Sequence, residues 1–249
     1  MSARHPAPTT PDRLRLLPIV ELLSGRTVDL ELLDADALDE AAACAGVWRR
    51  VWPDVGLVVP LPAADPVDRV RHALEGAGLE ASALAVEVSA ASTPEALSAV
   101  EALGVRMVVR APATDLDEVR RRCGADPAIV KVSSGADLGS AVAAARRVAE
   151  HVVVTGVGSI VEVSDAGQAG ADAAQGAYLG APLEGLDAVL AHLAEEVPVT
   201  GAETVVDRVA ELEARAVQVE ALVGELSDVE GRGAGRAAPR SGRTGPRDA

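Results

Sequence analysis

The chain has 249 residues, 49% of them hydrophobic and 24% charged, enough for one large α/β domain or two small ones. Its formal charge is −15, from 23 Lys and Arg against 38 Asp and Glu, and so acidic a surface repels nucleic-acid phosphates and anionic membranes. With no Phe, one Tyr (Tyr178) and two Trp (Trp48 and Trp52), the core must be filled by Val, Leu and Ala.

Residues 1–13 lack an apolar signal region and read as a disordered N-terminus. No run approaches the length of a membrane span, so a cytoplasmic protein is expected. After that start, strand and helix signals alternate. "RLLPIVEL" and "VDLELL" read as two strands joined by the short turn "SGRT", a hairpin. The helix "DADALDEAAACAGVWRRVWP" opens on Asp34 and stops at Pro53. "VGLVVPL" is a strand, and residues 65–78 form a helix with Pro66 in its first turn. "ALAVEVS" is the next strand, followed by a helix over 93–104 capped by Thr93 with Pro94 at its first position.

The beat continues with strands at 105–111, 128–133 and 151–158, and with helices over 114–124, 137–151 and 160–170. A short last strand lies within "DAAQGAYLG", and a closing helix spans 183–196. Buried apolar strands alternating with amphipathic helices imply a parallel sheet. Eight strands in about 190 residues favour closure into a (β/α)8-type barrel over an open sheet. Cys44 and Cys123 lie in apolar or helical contexts with no CxxC, and read as buried free thiols.

From Ala202 the apolar positions are Val205, Val209, Leu212, Ala216, Val219, Val223 and Leu226, spaced alternately by three and four. That heptad seam makes residues 200–230 a helix, either docked on the barrel or paired as a coiled coil in a homodimer. Val206, Val217 and Leu222 widen the apolar face and keep the docked arrangement open. Residues 231–249 carry five Arg against one Asp among Gly and Pro, a disordered basic tail.

Several blocks together resemble the EAL domain family. "LLPIVELLSGRTVDLELL" is similar to its opening, in which a Gln-Pro-Ile-Val strand turns through Thr-Gly-Arg into the strand bearing Glu-Ala-Leu. "LGVRMVV", "IVKVS", "VVVTGVGS" and "GADAAQGAYLGAPL" resemble its later blocks in the same order, with Tyr178 displaced by one residue. The resemblance implies an EAL-type modified TIM barrel over residues 14–198 with one antiparallel strand. It also implies a cyclic di-GMP phosphodiesterase chemistry using two Mg2+ or Mn2+ ions, which needs several carboxylates.

Matched block by block, the ligand set is mostly gone. Glu31 and Glu87 keep two family carboxylates, and Lys131 and Gln175 keep the family's Lys and Gln. The family's metal-binding Asn falls on Pro60, its paired Asp residues on Arg110 and Ala111, and a later Asp on Ser133. Its two following Glu residues fall on Thr155 and Gly158, and its phosphate-holding Arg on Ala35. Glu31 and Glu87 with Arg110 and Lys131 sum to zero charge, so the mouth neutralises itself without metal. Arg110 is therefore expected to pair with Glu31, Glu87 or both.

Three functions follow from this degenerate EAL barrel. The first is a catalytically inactive protein-interaction or regulatory scaffold, dimerised through its C-terminal helix, with no cofactor, no metal and no nucleic-acid or membrane partner. The second is a receptor binding cyclic di-GMP or another nucleotide without cleaving it, through Arg110, Lys131, Gln175 and the glycine-rich turn "TGVGS". The third is a residual metal-dependent phosphodiesterase, or another enzyme in which Ser133 and Ser134 sit beside Lys131. His5, His72, His151 and His192 are scattered and expected on the surface.

Overall fold

The computed structural model describes residues 14–61, 66–88, 92–110, 121 and 126–195. The chain divides into two units, Met1–Gly201 and Ala202–Ala249, and every described residue belongs to the first. The expected N-terminal disorder, Ala111, the helix over 114–124 (apart from Arg121, which is helical), Cys123, the heptad positions and the basic tail lie outside the described residues.

Eight strands close into a barrel: β1 Arg15–Glu21, β2 Thr27–Leu32, β3 Gly56–Pro60, β4 Leu84–Val88, β5 Arg106–Arg110, β6 Ile129–Ser133, β7 His151–Thr155 and β8 Ala173–Gln175. From β2 to β8 each strand is parallel to the next. β1 closes the ring and runs antiparallel to both β2 and β8. The expected hairpin is β1–β2, closed by Glu21 N–H donating to Arg26 O at 2.8 Å. A short β9, Leu183–Glu184, pairs with Leu16 and Arg15 of β1 where a helix was expected, and delays that helix to Gly185.

The strands form where the sequence is rich in Val, Leu and Ile, because both faces are covered. Side chains alternate between lumen and helix layer. Ile19, Val58, Ala85, Val108, Ile129, Val153 and Ala173 meet in the lumen as one apolar layer. Two residues further along the same strands stand Pro60, Glu87, Arg110, Lys131, Thr155 and Gln175. This second layer faces the carboxyl ends of the parallel strands, where barrels of this type build their sites.

The helices around the barrel are α1 Leu38–Trp48, α2 Pro66–Ala77, α3 Pro94–Glu101, α4 Leu138–Ala145, α5 Ile160–Gln168 and α6 Gly185–Glu195. Two end five or more residues earlier than expected, for tertiary reasons. At the end of α1 the buried Trp48 donates its indole N–H to Val55 O at 3.3 Å, and Arg49 donates to the same oxygen at 3.1 Å, turning the chain into β3. After α4 the Arg146 guanidinium donates to Gly170 O, Glu150 O and Asp172, holding residues 146–150 in a turn that feeds β7. By contrast α3 begins as expected, with Thr93 Oγ1 accepting from Ala96 N at 3.3 Å.

An ion pair lies at the end of the lumen opposite that second layer. Asp29 of β2, 5% exposed, receives both terminal nitrogens of Arg106 of β5, at 2.5 and 3.3 Å. Gly56 of β3 makes room for it. A Cβ there would stand 2.2 Å from both Arg106 Nη2 and Asp29 Oδ1. The apolar layer is therefore bounded by charge at both ends.

Candidate functional site at the barrel mouth

Four charged side chains from four strands converge in the upper layer. Lys131 of β6 is 1% exposed, and its Nζ lies 2.7 Å from Glu87 Oε2 and 2.9 Å from Glu31 Oε1. Arg110 of β5 donates through Nε to Glu87 Oε1 at 2.8 Å and through Nη2 to Glu87 Oε2 at 3.3 Å, a side-on fork. The same Nη2 reaches Glu31 Oε1 at 3.1 Å. Arg110 thus contacts both carboxylates rather than one. Its side chain is 50% exposed, whereas that of Lys131 has no exposed surface, so one cation is fixed and the other stands at the lip.

Electrostatics favours the charged forms of Glu87 and Arg110. Burial alone would push the Glu87 carboxyl up, but hydrogen bonds and charge from Arg110 and Lys131 outweigh it and hold the group below its ordinary range. The hydrogen bond to Glu87 raises Arg110 above the usual arginine value. Two anions and two cations leave the cluster neutral.

The other matched positions surround this quartet without adding charge. Thr155 is buried and donates to Val132 O at 3.3 Å, and Gln175, 3% exposed, donates to Leu17 O at 3.4 Å. Both are committed to the barrel backbone. Pro60 pairs in register with Glu87 and offers no donor atom, while Ser133 is exposed at the end of β6. Lys131 is occupied by two carboxylates and is no base for Ser133; Ser134 donates instead to Gly156 O at 3.3 Å.

The glycine-rich turn is already filled. Gly158 N–H donates to Glu162 Oε2 at 2.7 Å, Ser159 Oγ donates to the same oxygen, and Glu162 N–H donates back to Ser159 Oγ. This capping box places the chain's own carboxylate where an anion would sit at the start of α5. Next to Gln175, Gly176 packs against backbone: a Cβ would stand 2.2 Å from Val157 O.

Two divalent ions do not fit this donor set. Glu31 and Glu87 supply the only carboxylates in the quartet, and three of their oxygens already receive N–H groups from Lys131 and Arg110. An ion on those oxygens would face the Arg110 guanidinium, which does not deprotonate.

Arg69 of α2, which no motif in the sequence marks, donates to the carbonyl of Ala35 at 3.4 Å and lies 4.0 Å from Asp36. Of the histidines, His72 and His151 are exposed as expected, but His192 of α6 is half-buried with Nε2 3.0 Å from Thr27 Oγ1. A helix position facing the sheet carried no local signal for that contact. Cys44 is half-buried, and burial pushes its thiol up to about 12.

Known structures share this architecture. The PaMucR phosphodiesterase in complex with c-di-GMP is 21% identical, covering 68% of this chain and 90% of its own, with a TM-score of 0.58. The EAL domain of Mycobacterium smegmatis DcpA is 20% identical over 68% of this chain and 90% of its own, at 0.56. The EAL enzyme Bd1971 in its cAMP-bound form is 15% identical over 73% of this chain and 66% of its own, at 0.62. No family model and no curated protein matches the sequence. The barrel with its antiparallel β1 has the EAL-type fold. Among the described residues no helix is long and apolar enough to cross a membrane.

Proposed function

We propose that this EAL-type barrel is catalytically inactive and serves as a regulatory or protein-interaction scaffold. One observation carries the reading: Arg110 and Lys131 occupy the oxygens of Glu31 and Glu87 that a metal would need. The neutral quartet orders the mouth in place of metal ions, although an ion pair of this kind need not add net stability. The heptad seam from Val205 to Leu226 supports a second element of the proposal, a homodimer formed through the C-terminal helix in the cytoplasm.

The test is calorimetric titration of the full chain with cyclic di-GMP, first with Mg2+ and then with Ca2+. The scaffold predicts no binding heat and no change in melting temperature. Saturable one-to-one binding without turnover would replace it with the receptor reading. The Glu162 carboxylate already satisfying Gly158 N–H argues against that outcome.

A further inference from the structure

We infer that the groove between α4 and α5 docks a basic amphipathic helix of a partner protein. Of the nine residues of α5 only Ala166 is buried, whereas α4 buries Leu138, Val142, Ala144 and Ala145, and α6 buries Val189, Leu190 and Leu193. Ile160 and Val161, in the first turn of α5, are 59% and 63% exposed. β-branched residues weaken a helix unless they pack against something, so this face lacks the contact that would offset their cost.

The space beside it is open. A cleft of about 560 Å³ is lined on one side by Leu138 and Gly139 of α4 and on the other by Glu162, Asp165 and Gln168 of α5. A Cβ on Gly139, or on Gly135 just before α4, would meet no atom within 4 Å. Val161, Asp165 and Gln168 are spaced by four and three, so they share one stripe of α5 along this cleft. Between that stripe and the glycines opposite lies a trough that takes the side-chain ridge of a third helix.

Charge selects which helix. The lining holds two carboxylates and no Lys or Arg, within a chain of net charge −15. Glu162 is tied into the capping box by Gly158 and Ser159, which leaves the exposed Asp165 to meet an incoming cation. A second copy of this chain would set acid against acid, and a wholly apolar helix would cover Asp165 with no countercharge. A helix with Leu or Ile on one face and Lys or Arg along its edge satisfies both demands. The groove lies in the helix layer and not in the lumen; it names a partner class for the scaffold reading, on which its biological use rests.

The test uses the full-length chain and a fluorescein-labelled helical peptide of about 18 residues, Leu on one face and Lys on the other. Anisotropy is followed at about 150 mM salt. Saturable one-to-one binding is expected. Gly139→Leu projects into the open cleft and should weaken binding at least about ten-fold without lowering the melting temperature. Asp165→Lys should weaken it by a similar factor, and Glu75→Lys, on α2 across the barrel, by less than about two-fold. No binding, equal losses from Glu75→Lys and Asp165→Lys, full binding to Gly139→Leu, or equal binding of a peptide with Glu in place of Lys would overturn the groove. If Gly139→Leu does not fold, Val161→Ser on the exposed stripe takes its place. Cyclic di-GMP hydrolysis by the wild type would remove the inactive-scaffold reading and leave this titration to decide the groove by itself.

Discussion

Replacing Lys131 by Met isolates the buried half of the quartet. The side chain has no exposed surface and its ammonium lies 2.7 and 2.9 Å from two carboxylates. Removing one partner from a buried ion pair costs about 3–5 kcal/mol, because the remaining charge is left uncompensated. Here Arg110 still neutralises one of the two anions, so the loss should fall near the lower end, about 3 kcal/mol. For a chain of this size that is a drop of about 6–12 °C in melting temperature.

The pH dependence gives an independent signature. The folded Glu87 carboxyl is held below its ordinary value of about 4.3, so its stabilising contribution is present above that pH and lost as pH falls through the folded value. Lys131→Met has less of that contribution to lose, so its deficit against the wild type should shrink from pH 7 to pH 3.5. Urea unfolding followed by circular dichroism at both pH values is the assay. Arg110→Met, at the half-exposed position, should cost less than Lys131→Met at pH 7. A deficit under about 1 kcal/mol, a reversed order of the two variants, or a deficit independent of pH would mean that Lys131 does not compensate the two buried carboxylates.

Gly56→Ala should destabilise the barrel by about 1–3 kcal/mol, since its Cβ enters the Asp29–Arg106 pair, and the cost should shrink in an Asp29→Ala/Arg106→Ala background, measured as a double-mutant cycle. Gly176→Ala meets immovable backbone at Val157 and should lower the melting temperature by at least as much. In a Cys123→Ser chain, native Cys44 should react with a thiol-specific disulfide reagent at pH 8 at least about ten-fold more slowly than in the unfolded chain, because burial pushes its thiol up to about 12 and leaves little thiolate. If the proposed homodimer forms through the heptad seam, deleting residues 200–249 should leave a monomer by sedimentation analysis; a truncated chain that stays dimeric would remove the seam from the assembly.

The barrel was legible because its strands are continuous apolar runs punctuated by helix caps. "HVVVT" and "IVKVS" leave little choice but buried strands, and Thr93 with Pro94 marks a helix start without ambiguity. β9 was not legible. A two-residue strand has no period, and only its pairing with Arg15 and Leu16 defines it. The ends of α1 and α4 were also hidden, since Val55 O and Gly170 O, which turn the chain there, come from outside the helices.

At the mouth, residue matching brought out Glu31, Glu87, Arg110 and Lys131 as four charges summing to zero. It could not show that Lys131 lies beneath both carboxylates and Arg110 at the lip, because side-chain depth depends on closure of the ring. Asp29 carried an unused signal. Two acids spaced by two in "TVDLEL" share one face of the strand, and that face is the lumen. Its partner Arg106 lies on β5, beyond any local pattern.

Turnover decides whether the barrel is inactive. Full-length protein is incubated with cyclic di-GMP and Mn2+ or Mg2+, and the products are separated by chromatography. An inactive barrel leaves the substrate unchanged, even at high enzyme and metal concentration. Metal-dependent accumulation of the linear dinucleotide, abolished by Glu31→Gln, would contradict it.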